Sequence, residues 1–134
     1  MRVLDQAIDE RDRTWRIALA PDPWMPHAAR RYVGGSLRDR GWTEERCGVV
    51  ELLTSEVVTN AFRHAVGPAV LMVAIASDHV RVTVEDGSPA QWPSPKPPGE
   101  EGGWGMLLVQ ALATGWGFST CDTTKAVWFE LDAA

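Results

Sequence analysis

Cysteine is scarce in this chain: Cys47 and Cys121 are the only two among 134 residues, far apart and without metal-ligand spacing. That excludes a disulfide framework and a cysteine zinc site, and it fits a reducing compartment. Histidine is equally thin, and His27, His64 and His79 form no His-x-x-x-His pair. No apolar run approaches the length of a membrane span. The N-terminal stretch MRVLDQAIDERDR lacks the apolar segment of a signal peptide. A cytoplasmic protein without a membrane partner is therefore expected. A basic surplus is also missing. With a net charge of −5 and a pI near 5.1, the chain does not read as one that binds nucleic acid directly, because neutralising phosphates takes a basic surface. Nine of the thirteen Lys and Arg residues do fall between Arg2 and Arg46. That arrangement suits either a solvated helix face or a local basic face on the N-terminal third.

What is present reads as one globular domain, residues 13–134, behind an N-terminal segment, residues 1–12, expected as a frayed tail or short helix. Residues 14–19 alternate as a half-buried strand, which the cluster Pro21, Pro23 and Pro26 ends. A helix over 27–38 follows, with Ala28, Tyr32, Val33 and Leu37 as its inner face and Gly34-Gly35 weakening its middle. Thr43 is a good N-cap for the longest helix, 44–65, with Glu44 and Glu45 in the first turn. Val49, Leu52, Leu53, Val57 and Ala61 recur at the spacing of an apolar face. Two β-rich runs, 69–76 and 80–85, are joined by Ser77-Asp78-His79 and suggest an antiparallel hairpin. Residues 87–103 carry five prolines, followed by Gly99, Gly102 and Gly103, and a loop this long is more often functional or mobile than merely connective. A short helix from 105 to 113 and two strands, 115–121 and 125–131, close the chain; Trp116 and Trp128 read as core. The expected fold class is α/β in the α+β sense. It is a two-layer sandwich of a mixed, mostly antiparallel sheet with helices on one face.

Chemistry concentrates at three places. Glu56 and Asn60 are four apart on the long helix, and His64 is four further on, so they share one polar stripe. The carboxamide oxygen of Asn60 suits Mg²⁺, a hard cation that takes few protein oxygens and completes its shell with water and phosphate. Glu56, one turn away, can accept a proton from a hydroxyl or water attacking a γ-phosphate. Asp86 ends a strand, where its carboxylate can accept from the exocyclic amine of adenine and repel the carbonyl of guanine. Gly103-Trp104-Gly105 leads directly into Met106-Leu107-Leu108-Val109. There glycines admit phosphates close to the backbone and a helix N-terminus offers free N–H groups. Each feature alone has a bland counterpart: a solvated helix face, a turn aspartate, a permissive loop junction. Their order along the chain is what makes them a set.

That set resembles the GHKL superfamily of ATP-binding domains, which includes the catalytic domains of histidine kinases. Within it the chain is most similar to the small bacterial anti-sigma-factor serine/threonine kinases, from Thr14 to Leu131. Glu56-Val57-Val58-Thr59-Asn60-Ala61 matches the N box, whose Asn binds Mg²⁺ and whose Glu is the base. Asp86 matches the adenine-binding aspartate. Gly103-Trp104-Gly105-Met106 matches the Gly-x-Gly-Leu phosphate motif, and Thr124 falls in the final strand, where a Thr helps bind the adenine. The second box is usually Asp-x-Gly-x-Gly, but here Ser88 and Ala90 stand at the glycine positions, a change expected to restrict lid closure and weaken nucleotide affinity. Ser88 is nonetheless counted with the nucleotide-contacting positions.

The resemblance implies the Bergerat ATP-binding fold, ATP and Mg²⁺ as cofactors, and partners that are a sigma factor or an anti-anti-sigma protein of STAS type. It also implies that Arg30, Arg31 and Arg38 on the first helix lie near a partner or homodimer surface. The expected activity is transfer of the ATP γ-phosphate to a Ser or Thr of the anti-anti-sigma partner. The alternative is a catalytically silent module in which bound nucleotide only shapes a protein-binding surface.

Overall fold

The computed structural model describes residues 2–6, 13–64, 67–87, 103–120 and 123–134. Its elements are strands β1 (Arg2–Gln6) and β2 (Arg13–Leu19), helices α1 (Met25–Arg38) and α2 (Glu44–His64), strands β3 (Ala69–Ile75) and β4 (His79–Asp86), helix α3 (Gly103–Leu112), and strands β5 (Gly115–Thr120) and β6 (Lys125–Asp132). The strands form one six-stranded sheet in the order β1-β2-β3-β4-β6-β5. Every pairing in it is antiparallel, where a mixed sheet was expected. The α+β sandwich itself is as expected.

Strict alternation along the strands builds the core. Register aligns Trp15, Val73, Val82, Phe129 and Trp116 in one cross-strand row and Ile17, Leu71, Val84, Val127 and Phe118 in the next. Both rows belong to the face that meets the helices. The opposite face carries Arg81, Trp128 and Glu130. Trp128 therefore lies outside the core, contrary to expectation, because it is out of phase with buried Val127 and Phe129. The Arg81 guanidinium stacks 4.0 Å from the Trp128 ring centroid, and its Nε donates to Glu130 Oε1 at 2.8 Å. Gly117 leaves room for that indole: a Cβ there would come within 2.8 Å of the ring.

Residues 2–6 form a strand, not the expected tail or short helix. The charges that follow it suggest a frayed end, but β2 would otherwise be the sheet's edge, and β1 pairs its exposed backbone groups. Helix α1 starts at Met25, two residues earlier than expected. Pro26 sits in its first turn, where a missing N–H costs nothing. Its buried face is Ala29, Val33, Gly34 and Leu37. Ala28 and Tyr32 are only half-buried, and the Tyr32 ring meets Trp15 edge-on with centroids 6.2 Å apart.

Helix α2 is capped as anticipated, the Arg46 N–H donating to Thr43 Oγ1 at 3.2 Å. Its buried positions are Cys47, Val50, Glu51, Leu53, Thr54, Val57, Val58 and Ala61, while Val49 and Leu52 are half-buried. The arc is wider than a single stripe because α2 is packed on by α1, α3 and the strands β3, β4 and β6. Cys47 is a free, buried thiol whose burial pushes its pKa up, so it is chemically quiet. Cys121 lies outside the described residues. No helix among the described residues is long and apolar enough to cross a membrane.

The α1–α2 contact separates the roles of two adjacent glycines. A Cβ on Gly34 would lie 2.5 Å from Cδ of Glu51, whereas one on Gly35 would meet nothing within 4 Å. Glu51 is held in place by Arg38, whose Nη2 donates to its Oε1 at 2.8 Å. Gly34→Ala is therefore expected to destabilise the fold by about 1–3 kcal/mol, through displacement of a tethered, buried side chain. Gly35→Ala is expected to stabilise it by about 0.5–1 kcal/mol, through helix propensity alone. Urea denaturation of the two variants checks both signs.

Candidate functional site

Helix α2 supplies the first part of the site. Glu56 and Asn60 stand one turn apart and both are partly buried. They occupy a stripe beside, not within, the core stripe of Leu53, Val57 and Ala61. The Nδ2 atom of Asn60 is buried, and it has no hydrogen-bond partner among the described residues. An unpaired buried amide costs about 1–3 kcal/mol, so natural proteins keep such groups where a ligand or water answers them. The His64 side chain lies outside the described residues.

Asp86 is the last residue of β4. The alternation that buries Val80, Val82 and Val84 carries it onto the same inner face, where it is 3% exposed. Directly opposite, at the first position of β6, stands Lys125. This residue is 0% exposed, and its Nζ lies 3.7 Å from Asp86 Oδ2. That separation makes an ion pair but is longer than a hydrogen bond, and Nζ has no hydrogen-bond partner among the described residues. The sequence reading named Thr124 here and missed Lys125. Thr124 precedes the strand and is partly buried. The signal for Lys125 was its phase, two residues before Val127 and four before Phe129 on the face that turns inward.

Helix α3 begins at Gly103, two residues before the expected start, so Gly103, Trp104 and Gly105 are its first turn. The first N–H groups of a helix have no intrahelical acceptor and stand at the positive end of its dipole, which suits phosphate. Met106 is buried in the core, so any part it takes in binding is through its backbone. The side chain of Trp104, and all of Ser88 and Ala90, lie outside the described residues.

These parts lie on elements that pack against one another. Asp86 is the last residue of β4 and Gly103 the first of α3, while α2 packs against β4, β6 and α3. Arg38 belongs elsewhere. Its guanidinium bridges Glu44 and Glu51, each at 2.8 Å, and these carboxylates hold its pKa above the usual range. It is exposed and at the same time engaged by these two carboxylates within the fold. Arg31 remains exposed on α1 and Arg30 half-exposed.

A family model described as the histidine kinase-like ATPase domain matches residues 19–130. The chain belongs to this family. Within this histidine kinase-like ATPase domain the matched span takes in α2, Asp86, the start of α3 and Lys125, so every part of the site falls inside it. The domain is an ATP-binding one, usually with Mg²⁺. No curated protein matches the chain.

Proposed function

We propose that this chain is an ATP-dependent serine/threonine protein kinase of the anti-sigma-factor kind, acting on an anti-anti-sigma partner of STAS type. The observation that carries the reading is Glu56 one helical turn from Asn60, whose buried Nδ2 has no hydrogen-bond partner among the described residues. The residues present suit Mg-ATP. Asn60 would give Mg²⁺ one neutral oxygen, and the phosphates and water would complete the shell. Bound Mg²⁺ would neutralise charge on the β- and γ-phosphates. Among the described residues no group of three or more His, Cys, Asp or Glu is placed to cage a metal without them. The α3 N-terminus would hold the phosphates, and Asp86 would select the amino group of adenine.

Glu56 would then take the proton from the partner's Ser or Thr hydroxyl. As the hydroxyl oxygen bonds to the γ-phosphorus, the bond to the bridging oxygen breaks and ADP leaves. A cytoplasmic location and a basic docking surface around Arg30 and Arg31 belong to the same proposal. The test is incubation with Mg-ATP and a purified STAS-type partner. A phosphate ester on a Ser or Thr of the partner is expected. A partner that binds but is recovered unmodified contradicts kinase activity and supports the silent module, which Ser88 and Ala90 favour.

A further inference from the structure

Lys125 is unusual for this molecule. Eleven of its thirteen basic residues are arginines, and the lysines are Lys96 and Lys125. Most described arginines reach solvent or a surface carboxylate, whereas Lys125 is fully buried beside the one acid that the site assigns to base recognition. A charged pair is strongest at hydrogen-bonding distance, near 2.8 Å. This one stops at 3.7 Å, and the N–H groups of Nζ are left without an acceptor among the described residues. The cross-strand register fixes Lys125 opposite Asp86, so a planar ligand edge that met the carboxylate would also approach the ammonium.

We propose that Lys125 is a base-specificity residue that donates, directly or through one water, to the ring nitrogen N1 of a 6-aminopurine. Adenine presents a donor, its 6-amino group, next to an acceptor, N1. Asp86 and Lys125 present an acceptor next to a donor, which is the complement. Guanine presents the reverse order, a carbonyl oxygen and then N1–H, so it meets a like group at both positions. Selectivity then comes from two residues, each opposing guanine, where Asp86 alone would oppose only its carbonyl. The inference rests on the reading of the site as one that binds ATP, and it adds the residue that reads the second atom of the base.

The experiment is calorimetric titration of ATP, 1-deaza-ATP (in which a C–H replaces N1) and GTP, each with Mg²⁺, into wild type and Lys125→Met. Wild type is expected to bind 1-deaza-ATP roughly 10- to 100-fold more weakly than ATP, as for loss of a hydrogen bond to a charged group. Lys125→Met is expected to bind ATP and 1-deaza-ATP alike and to discriminate less against GTP. A merely structural lysine would weaken both adenine nucleotides equally in the variant and leave the wild type indifferent to N1. If wild type binds the two within about twofold, the assignment of Lys125 is overturned while the ATP site stands. If wild type binds no ATP at all, the site reading falls and this inference with it. The comparison of analogues needs only the wild-type protein, so it can overturn the assignment even where Lys125→Met fails to fold.

Discussion

Glu56→Gln is expected to slow phosphoryl transfer to the protein partner by about 100- to 10,000-fold, the contribution of a positioned general base. Mg-ATP affinity should be unchanged. Gln has the shape of Glu and keeps its hydrogen-bonding oxygen, but it cannot take the hydroxyl proton. Glu56 lies beside the core stripe and not within it, so the fold should be affected by no more than about 0.5 kcal/mol. The split between intact binding and lost transfer is what identifies a base. A structural residue would lose stability, and a metal-holding residue would lose nucleotide affinity. Single-turnover transfer of labelled phosphate measures it, and transfer at the wild-type rate would remove Glu56 from the mechanism.

The second large effect is on stability. Asp86→Ala strips the buried ammonium of Lys125 of the carboxylate 3.7 Å away, with both side chains essentially out of contact with solvent. Leaving one charge of a buried pair without its partner costs about 3–5 kcal/mol. Replacing both residues with apolar ones of similar volume, as in Asp86→Leu with Lys125→Met, should recover most of that loss. Denaturation in urea of wild type, both single variants and the double variant gives the coupling directly. A single variant within about 1 kcal/mol of wild type would mean that the ammonium is not held by Asp86. The same physics affects any binding assay. Asp86→Ala can lose nucleotide because the protein is unfolding, so Asp86→Asn, of equal volume, is the better probe of recognition.

The sequence showed helix α2 and its motif plainly, because a 21-residue helix repeats its pattern over several turns and Thr43 caps it visibly. Asp86 was legible for a similar reason: β4 alternates cleanly up to it. Other features depend on what lies across the sheet. The segment Arg2–Gln6 is short and followed by charge, and only the unpaired edge of β2 makes it a strand. Lys125 looks like any surface lysine at the start of a strand until register sets it opposite Asp86. Trp128 was misplaced by its size: a large aromatic suggests core, but its phase puts it on the outer face, under Arg81 and over Gly117. The helix faces were off by about one residue for a related reason. Amphipathic spacing finds a stripe, but the width of the buried arc on α2 is set by neighbours on several sides. Gly34 was read as a weakness in α1 and is a point of close approach to Glu51.

Asn60, Asp86 and the α3 N-terminus are expected to act as one adenine-nucleotide site. The most direct test is calorimetric titration of Mg-ATP and Mg-GTP into wild type, Asn60→Ala and Asp86→Asn, with each variant first shown to be folded by circular dichroism. Wild type is expected to bind ATP at least roughly tenfold more tightly than GTP. Asn60→Ala should lose the Mg²⁺-dependent part of that affinity, and Asp86→Asn should lose part of the preference for adenine. ATP affinity unchanged in both folded variants, or no binding by wild type at millimolar nucleotide, would contradict it.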